Sequence, residues 1–273
     1  MTTVEKLVSL IRDTSSSLPG DVIDAIRAGL RREAPGSAAK VVFGTILDNC
    51  DLAEKKSVPL CQDTGTLTFF VDSRLRRKVS REVICKAVAT ATRLGYLRCN
   101  TIDSATGKSL DDNCGEGAPT VHYVEGSQEK ATVTLLMKGG GSENMSRQYS
   151  LPDSSLGAGR DMEGVRKCVL DAVCKIRGYG CAPGILGICI GGDRAGGYET
   201  AKKQLLRSLS EKPSAFERRL LREANALGIG PMGLGGKTTL LGVKVASRTR
   251  LPASFFVTIA YMCWAARRRT VEI

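Results

Sequence analysis

The chain of 273 residues holds one histidine and one tryptophan, and only 5% of it is aromatic. It has no C-x-x-C pair and no compact cysteine–histidine spacing, which excludes the common structural zinc frameworks. No apolar stretch is long and unbroken enough to span a bilayer. The opening MTTVEKLVSLIRD carries acidic residues and no small-residue cleavage pattern, which argues against a secretory leader. No internal repeat is evident. The glycine-rich stretch GIGPMGLGGKTT at 228–239 has Pro231 six residues before Lys237, where a Walker loop needs glycine, so a nucleotide loop is excluded and close packing or a substrate-side anion cradle is expected instead. These absences lead to the expectation of a protein of the reducing cytoplasm with no membrane segment.

Charge and cysteine are what the chain does have. Forty Lys and Arg stand against 28 Asp and Glu, a formal charge of +12. That excess suits an anionic substrate, an acidic partner subunit or nucleic acid. The basic residues are dense only in RLRRK at 74–78 and RRR at 267–269, and no zinc finger, helix-turn-helix or strand motif mixing aromatic and basic residues accompanies them, so nucleic-acid binding is not expected.

Of ten cysteines, three occupy unusual settings: Cys61 in PLCQDTG, Cys181 in YGCAPG and Cys263 in AYMCWAARRR. Cys61 is followed at once by Gln62, Asp63 and Thr64, which can handle an oxygen-rich substrate. Pro183 and Gly184 fix the loop after Cys181. Three thiolates on an iron–sulfur cube would leave one iron open, whereas four favour electron transfer. Cys50, Cys85, Cys168 and Cys174 fall in apolar helical patterns and read as core side chains. Cys99, Cys114 or Cys189 offer another ligand scheme, and composition does not choose between them.

The pattern predicts a mixed α/β fold: a helical N-terminal portion, then β-sheet layers packed against helices. Helices are expected around Val4–Ile11, Val22–Leu30, Val41–Leu52, Ser80–Arg93, from Met162 to an end at Gly178, Tyr198–Leu209 and Ser214–Leu227. Strands are expected over Thr66–Val71, Thr120–Val124 paired with Ala131–Met137, Ile185–Ile190, Leu240–Ala246 and Ala253–Met262. Gly139, Gly140 and Gly141 follow one strand and allow backbone N–H groups to approach an anion, with Ser142 and Asn144 adding polarity. His122 sits in a predicted strand, where a structural hydrogen bond is the expected role.

The order of PLCQDTGT (59–66), YLR (96–98), APTVHY (118–123), KGGGSENMS (138–146), YGCAPG (179–184), LGIGPMGLGGKTT (227–239) and CWAARR (263–268) resembles the alpha chain of two-subunit class I fumarases, iron–sulfur hydro-lyases whose family includes tartrate dehydratase. The resemblance covers nearly the whole chain. It implies one alpha-type catalytic domain over residues 1–273 and a [4Fe-4S] cluster on Cys61, Cys181 and Cys263. It further implies that Gln62, Asp63 and the glycines 139–141 lie against a small dicarboxylate, that Arg98 grips a carboxylate, and that Asp63 transfers a proton. It also implies a beta subunit, in an alpha2–beta2 assembly, needed for turnover because the chain ends at Ile273 with no second catalytic portion. KGGGSEN resembles the fumarase branch more than the tartrate branch, so reversible hydration of fumarate to L-malate is the expected reaction. The alternatives are a tartrate or methylfumarate hydro-lyase subunit, or a non-catalytic iron–sulfur scaffold. The segment GKSLDDNCGEG at 107–117 departs from the family's approximate RKNTGDN, so substrate contacts from that loop are not carried over.

Overall fold

The computed structural model describes residues 1–126 and 129–273. The chain begins with α1 (Thr3–Ser16), α2 (Gly20–Arg32) and α3 (Ala38–Lys56), followed by β1 (Thr66–Asp72) and α4 (Arg81–Arg93). The short strands β2 (Thr101–Ile102) and β3 (Ser109–Leu110) precede β4 (Thr120–Val124), β5 (Thr132–Lys138), the five-residue helix α5 (Gly140–Asn144) and β6 (Arg147–Ser150). Then come α6 (Met162–Ile176), β7 (Gly184–Ile190), α7 (Arg194–Gln204), α8 (Ala215–Ala226), β8 (Leu240–Ser247), β9 (Phe256–Met262) and β10 (Arg267–Glu272). The fold is mixed α/β, with N-terminal helices and sheets packed against helices, as expected.

The chain divides into two compact units, residues 1–19, 48–140 and 265–273 in the first, and 20–47 and 141–264 in the second. The first is built on a four-stranded sheet ordered β10-β5-β1-β4. Apolar β1 runs through its middle, parallel to β4 and antiparallel to β5, with Phe69 opposite Leu135 and Val71 opposite Val133. The core joins Leu7 and Ile11 of α1, Ile84 and Val88 of α4, and Phe69, Val71, Val133 and Leu135 of the sheet, all fully buried. Helix α1 starts at a capping box: the Thr2 hydroxyl accepts the Glu5 N–H at 3.2 Å, and the Glu5 carboxylate accepts the Thr2 N–H at 2.8 Å.

One expectation fails in this sheet. β4 and β5 do not pair with each other, because β1 stands between them. The RRR run, to which no element was assigned from the sequence, opens β10, which pairs with β5, and Arg267 and Arg268 are 1% and 8% exposed.

The second unit has the sheet order β6-β9-β7-β8. Every residue of β7, GILGICI, is buried, and the strand is parallel to β8 and antiparallel to β9. One core holds Val165, Val169 and Ala172 of α6, Leu220 and Ala224 of α8, and Leu186, Ile188, Val257, Ile259 and Tyr261 of the sheet. Helix α8 also begins at a capping box, from Ser214 to Glu217. Helix α7 starts four residues before the predicted Tyr198, because the Asp193 carboxylate caps it by accepting the Gly196 N–H at 2.9 Å.

Candidate active site

In the first unit the turn after Leu60 carries Cys61, Gln62 and Asp63 into β1. The Cys61 sulfur accepts the Asp63 N–H at 3.4 Å. The Asp63 carboxylate is held from both sides, Oδ1 by the Gly65 N–H at 2.8 Å and Oδ2 by the Gly140 N–H at 2.7 Å. Each oxygen thereby keeps one acceptor direction open. Of the three glycines, Gly140 meets an anion as the sequence suggests, but that anion is the protein's own Asp63. A Cβ on Gly139 would lie 3.0 Å from Asp63 Oδ2, and Gly141 stands in open space.

Arg267 braces this turn from behind, its Nη2 donating to the Asp63 carbonyl at 2.8 Å. Its Nε and Nη1 are buried without a hydrogen-bond partner among the described residues. Sequence reasoning gave this residue no role, because nothing local in a run of three arginines shows which of them a distant strand will bury.

Gln62 and Arg98 are exposed. The backbone of Arg98 is fixed: Thr64 Oγ1 accepts its N–H at 3.0 Å and donates to its carbonyl at 2.8 Å. Asn113 Nδ2 also donates to that carbonyl at 3.0 Å. Asn113 is 1% exposed and also bonds Thr92 Oγ1 through Nδ2, at 3.0 Å. Its Oδ1 accepts from the Asn100 and Thr101 N–H groups at 3.2 Å and from the Thr101 hydroxyl at 3.0 Å. The divergent loop 107–117 therefore supplies the hub that positions the YLR segment. A cavity of about 680 Å³ opens beside it, lined by Asp63, Thr66, Asn100, Asn113, Pro119 and Gly140 among others. Its lining includes Asp103 and Glu116 and no Lys or Arg.

The second unit brings Cys181 and Cys263 together through their backbones, with the Trp264 N–H donating to the Cys181 carbonyl at 3.4 Å. Cys181 has φ 52°, a left-handed conformation that its surroundings must hold. The stretch 228–239 does that holding. The Met232 N–H donates to the Ala182 carbonyl at 2.9 Å, the Gly184 N–H donates to the Thr239 carbonyl at 3.0 Å, and Gly178 lies directly against the backbone of Met232 and Gly233. The buried Glu33 carboxylate accepts the Lys237 N–H at 2.9 and 3.1 Å, tying down the stretch's far end. Close packing, not a nucleotide loop, is its role. Ser142 is 3% exposed, and its hydroxyl accepts the Cys263 N–H at 3.1 Å, so this serine is spent on the backbone and not on an anion.

Tyr261 lies between these two segments and is 1% exposed. Burial raises its phenol pKa well above the ordinary value, with charge on Cys263 and Cys181 adding to the rise.

The remaining cysteines differ in kind. The thiols of Cys99, Cys114 and Cys189 each donate to a backbone carbonyl, of Asp111, Cys85 and Gly191 respectively. Burial pushes Cys50, Cys114 and Cys168 up to about 12 and raises Cys189 as well. Such thiols stay protonated and are poor ligands. Cys174, read as core, is exposed near the end of α6. Cys61, Cys181 and Cys263 are in no disulfide and are at least partly open to solvent. Among the described residues no three His, Cys, Asp or Glu side chains form a metal-binding group, and the trio is divided, Cys61 in the first unit and the others in the second. By donor chemistry the three thiols nonetheless fit a soft iron–sulfur group, and the orphaned hydroxyl of Tyr261 beside two of them fits it too. His122 makes no side-chain hydrogen bond among the described residues. Its ring stacks on Phe70 at 5.2 Å between centroids and 14° between planes.

Comparison with known proteins agrees with this reading. The family described as fumarate hydratase (fumerase) matches residues 4–272. A putative class I fumarate hydratase of Geobacillus stearothermophilus is 46% identical over 98% of this chain, which spans 54% of that protein's length. A putative L(+)-tartrate dehydratase subunit alpha of Methanocaldococcus jannaschii is 33% identical over 98% of this chain and 96% of its own. The L(+)-tartrate dehydratase subunit alpha of Escherichia coli K12 is 30% identical over 99% and 91%. No described helix is long and apolar enough to cross a membrane. The chain thus belongs to the fumarate hydratase family, in its class I fumarate and tartrate hydratase alpha-subunit group, a family of iron–sulfur hydro-lyases.

Proposed function

We propose that this chain, acting over residues 1–273 as one alpha-type catalytic domain, is the cluster-binding part of a cytoplasmic fumarate hydratase that interconverts fumarate and L-malate. The observation that carries the reading is the match of the family over residues 4–272, joined by 46% identity to a relative named as a class I fumarate hydratase. Cys61, Cys181 and Cys263 are the proposed ligands of a [4Fe-4S] cluster, supported by their being in no disulfide and open to solvent, whereas Cys50 and Cys168 are buried in the core. Such a cluster, when bound, supplies a Lewis-acidic open iron that makes hydroxide a better leaving group.

The chain's own groups orient substrate and move the proton. Asp63 is the proposed proton carrier, since two backbone N–H groups aim its carboxylate and leave acceptor directions free. Gln62 and the Gly139–Gly141 segment are the proposed substrate neighbours beside it, a reading supported by the Gly140 N–H to Asp63 bond. Arg98 binds a substrate carboxylate through its planar fork, for which its pinned backbone and exposed side chain are suited.

A dicarboxylate entering the cavity of the first unit would face Asp63, Asp103 and Glu116 without a lining cation. This supports a partner that contributes positive charge, as do the relatives named as alpha subunits. A beta subunit in an alpha2–beta2 assembly is the proposed partner. Ten cysteines with no disulfide among them support a reducing cytoplasm.

Anaerobic reconstitution tests the reading. The loaded chain should bind a [4Fe-4S] cluster and hydrate fumarate faster than tartrate or methylfumarate only when the beta part is added. Cys263→Ser should lose most cluster iron, whereas Cys85→Ser keeps it. Full hydration by the single chain removes the partner requirement. Faster turnover of tartrate transfers the chain to the other branch, and a stoichiometric cluster in Cys263→Ser overturns the ligand assignment.

A further inference from the structure

Tyr261 is the last but one residue of β9, two before Cys263, and its ring packs against the loop that carries Cys181. A Cβ built on Gly180 would fall 2.4 Å from Tyr261 Cε1, and one on Gly184 would fall 2.4 Å from the phenol oxygen. Those two glycines bracket Cys181, so their missing side chains make the cradle in which the phenol rests. The ring belongs to the apolar core of the second unit, and phenylalanine would fill the same space.

The hydroxyl is what the packing does not explain. It is buried and has no hydrogen-bond partner among the described residues. A buried donor without a partner is destabilising, and native proteins leave few. It lies near the segments of Cys181 and Cys263, which are joined by the Trp264 N–H to Cys181 carbonyl bond. A thiol is a weak acceptor, but a thiolate or sulfide in a metal cluster carries negative charge and accepts more strongly.

We propose that the Tyr261 hydroxyl donates a hydrogen bond to sulfur of the iron–sulfur centre held by Cys181 and Cys263, and thereby raises that centre's reduction potential. The inference rests on the assignment of those cysteines as cluster ligands. A donor aimed at cluster sulfur stabilises the form with the extra electron, because added negative charge strengthens the bond. Tyr261 touches neither substrate nor reacting atoms in this account. It is a positioning residue that tunes the metal centre.

Tyr261→Phe keeps the ring and removes only the oxygen. The full chain, reconstituted anaerobically, should take up iron and sulfide at wild-type stoichiometry in this variant. Its one-electron reduction equilibrium should shift about tenfold toward the oxidised form, which is about 59 mV. Resonance Raman bands of the iron–sulfur stretches should shift in D2O more for the wild type than for the variant, which keeps only the Asp63 N–H to Cys61 Sγ bond. A wild-type chain that holds no [4Fe-4S] spectrum removes the cluster assignment itself and this inference with it. A loaded Tyr261→Phe chain with wild-type potential and the same D2O response removes the hydrogen bond alone. Should Tyr261→Phe fail to load, the D2O response of the wild type still decides: its absence overturns the proposal.

Discussion

The two cysteine-bearing regions are made rigid by opposite means. Around Cys61 and Arg98 the backbone is fixed by side-chain hydrogen bonds: Thr64 and Asn113 on the Arg98 segment, Asp63 on Gly65 and Gly140, Arg267 on the Asp63 carbonyl. Around Cys181 and Cys263 the main constraint is steric, with glycine backbone against glycine backbone and Tyr261 seated where Cβ atoms are missing. Hydrogen bonding leaves Gln62 and Arg98 in solvent, able to meet a polar ligand, while close packing keeps water from the Tyr261 hydroxyl. The hydrogen-bonded region thus keeps polar side chains adaptable, and the packed region keeps a buried hydroxyl dry.

If the contrast is real, one methyl group should do more harm in the packed region than the loss of a whole polar side chain in the other. Gly184→Ala places a Cβ 2.3 Å from Tyr261 Cε2, and the fully buried ring has no free space into which to move. Overpacking of this kind should cost about 3 kcal/mol, read as a lowered urea midpoint at unchanged slope. Pairing it with Tyr261→Leu should recover part of that loss through coupling between the two sites. Strict additivity would show that the ring is not what the new methyl meets.

Asn113→Ala is the matching test in the hydrogen-bonded region. It removes both donors and the acceptor that serve Thr92, Arg98, Asn100 and Thr101, and it places alanine at φ 59°, which asparagine tolerates better. The expected loss is about 2 kcal/mol, with a raised KM as Arg98 loses its brace. Wild-type KM and stability would show that Thr64 alone positions the YLR segment.

Much of this was legible in the sequence where a period or a cap announces itself. The Ser80 and Ser214 caps, the period of α6 and the apolar runs of β1 and β7 all fall where their residues predict. What was missed depends on partners distant in the chain. Nothing local shows that β1 would take β4 as a parallel neighbour and thereby separate β4 from β5. Arg267–Arg269 carry no strand signal of their own, because burial of β10 is decided by β5, more than a hundred residues earlier. Asn113 carries no periodic signal, being one polar residue in a loop of Gly and Asp. The three cysteine settings stood out by their neighbours, but Tyr261 beside Cys263 looked like ordinary strand until Gly180 and Gly184 were seen beneath it.

Arg98→Lys separates chemistry from architecture in the hydrogen-bonded region. Its backbone bonds are kept, so stability should match the wild type. The reconstituted complex should lose about tenfold in kcat/KM for fumarate, about 1.4 kcal/mol, because a point charge replaces a bidentate fork. Unchanged kinetics would remove Arg98 from the substrate side.

The smallest effect is expected at the single histidine. The His122 ring lies on Phe70 across the parallel pair β1–β4, and among the described residues it holds no hydrogen bond, so its contribution is that of one stacked pair. Asn at this position keeps a polar side chain of similar length and loses the stacking, which should cost about 0.5 kcal/mol. Turnover and KM in the reconstituted complex should not move, since no geometry links the imidazole to Asp63 or Arg98. A kinetic loss in His122→Asn without a matching fall in the urea midpoint would instead bring β4 into the chemistry, and the hydrogen-bonded region would then extend one strand beyond the residues assigned to it.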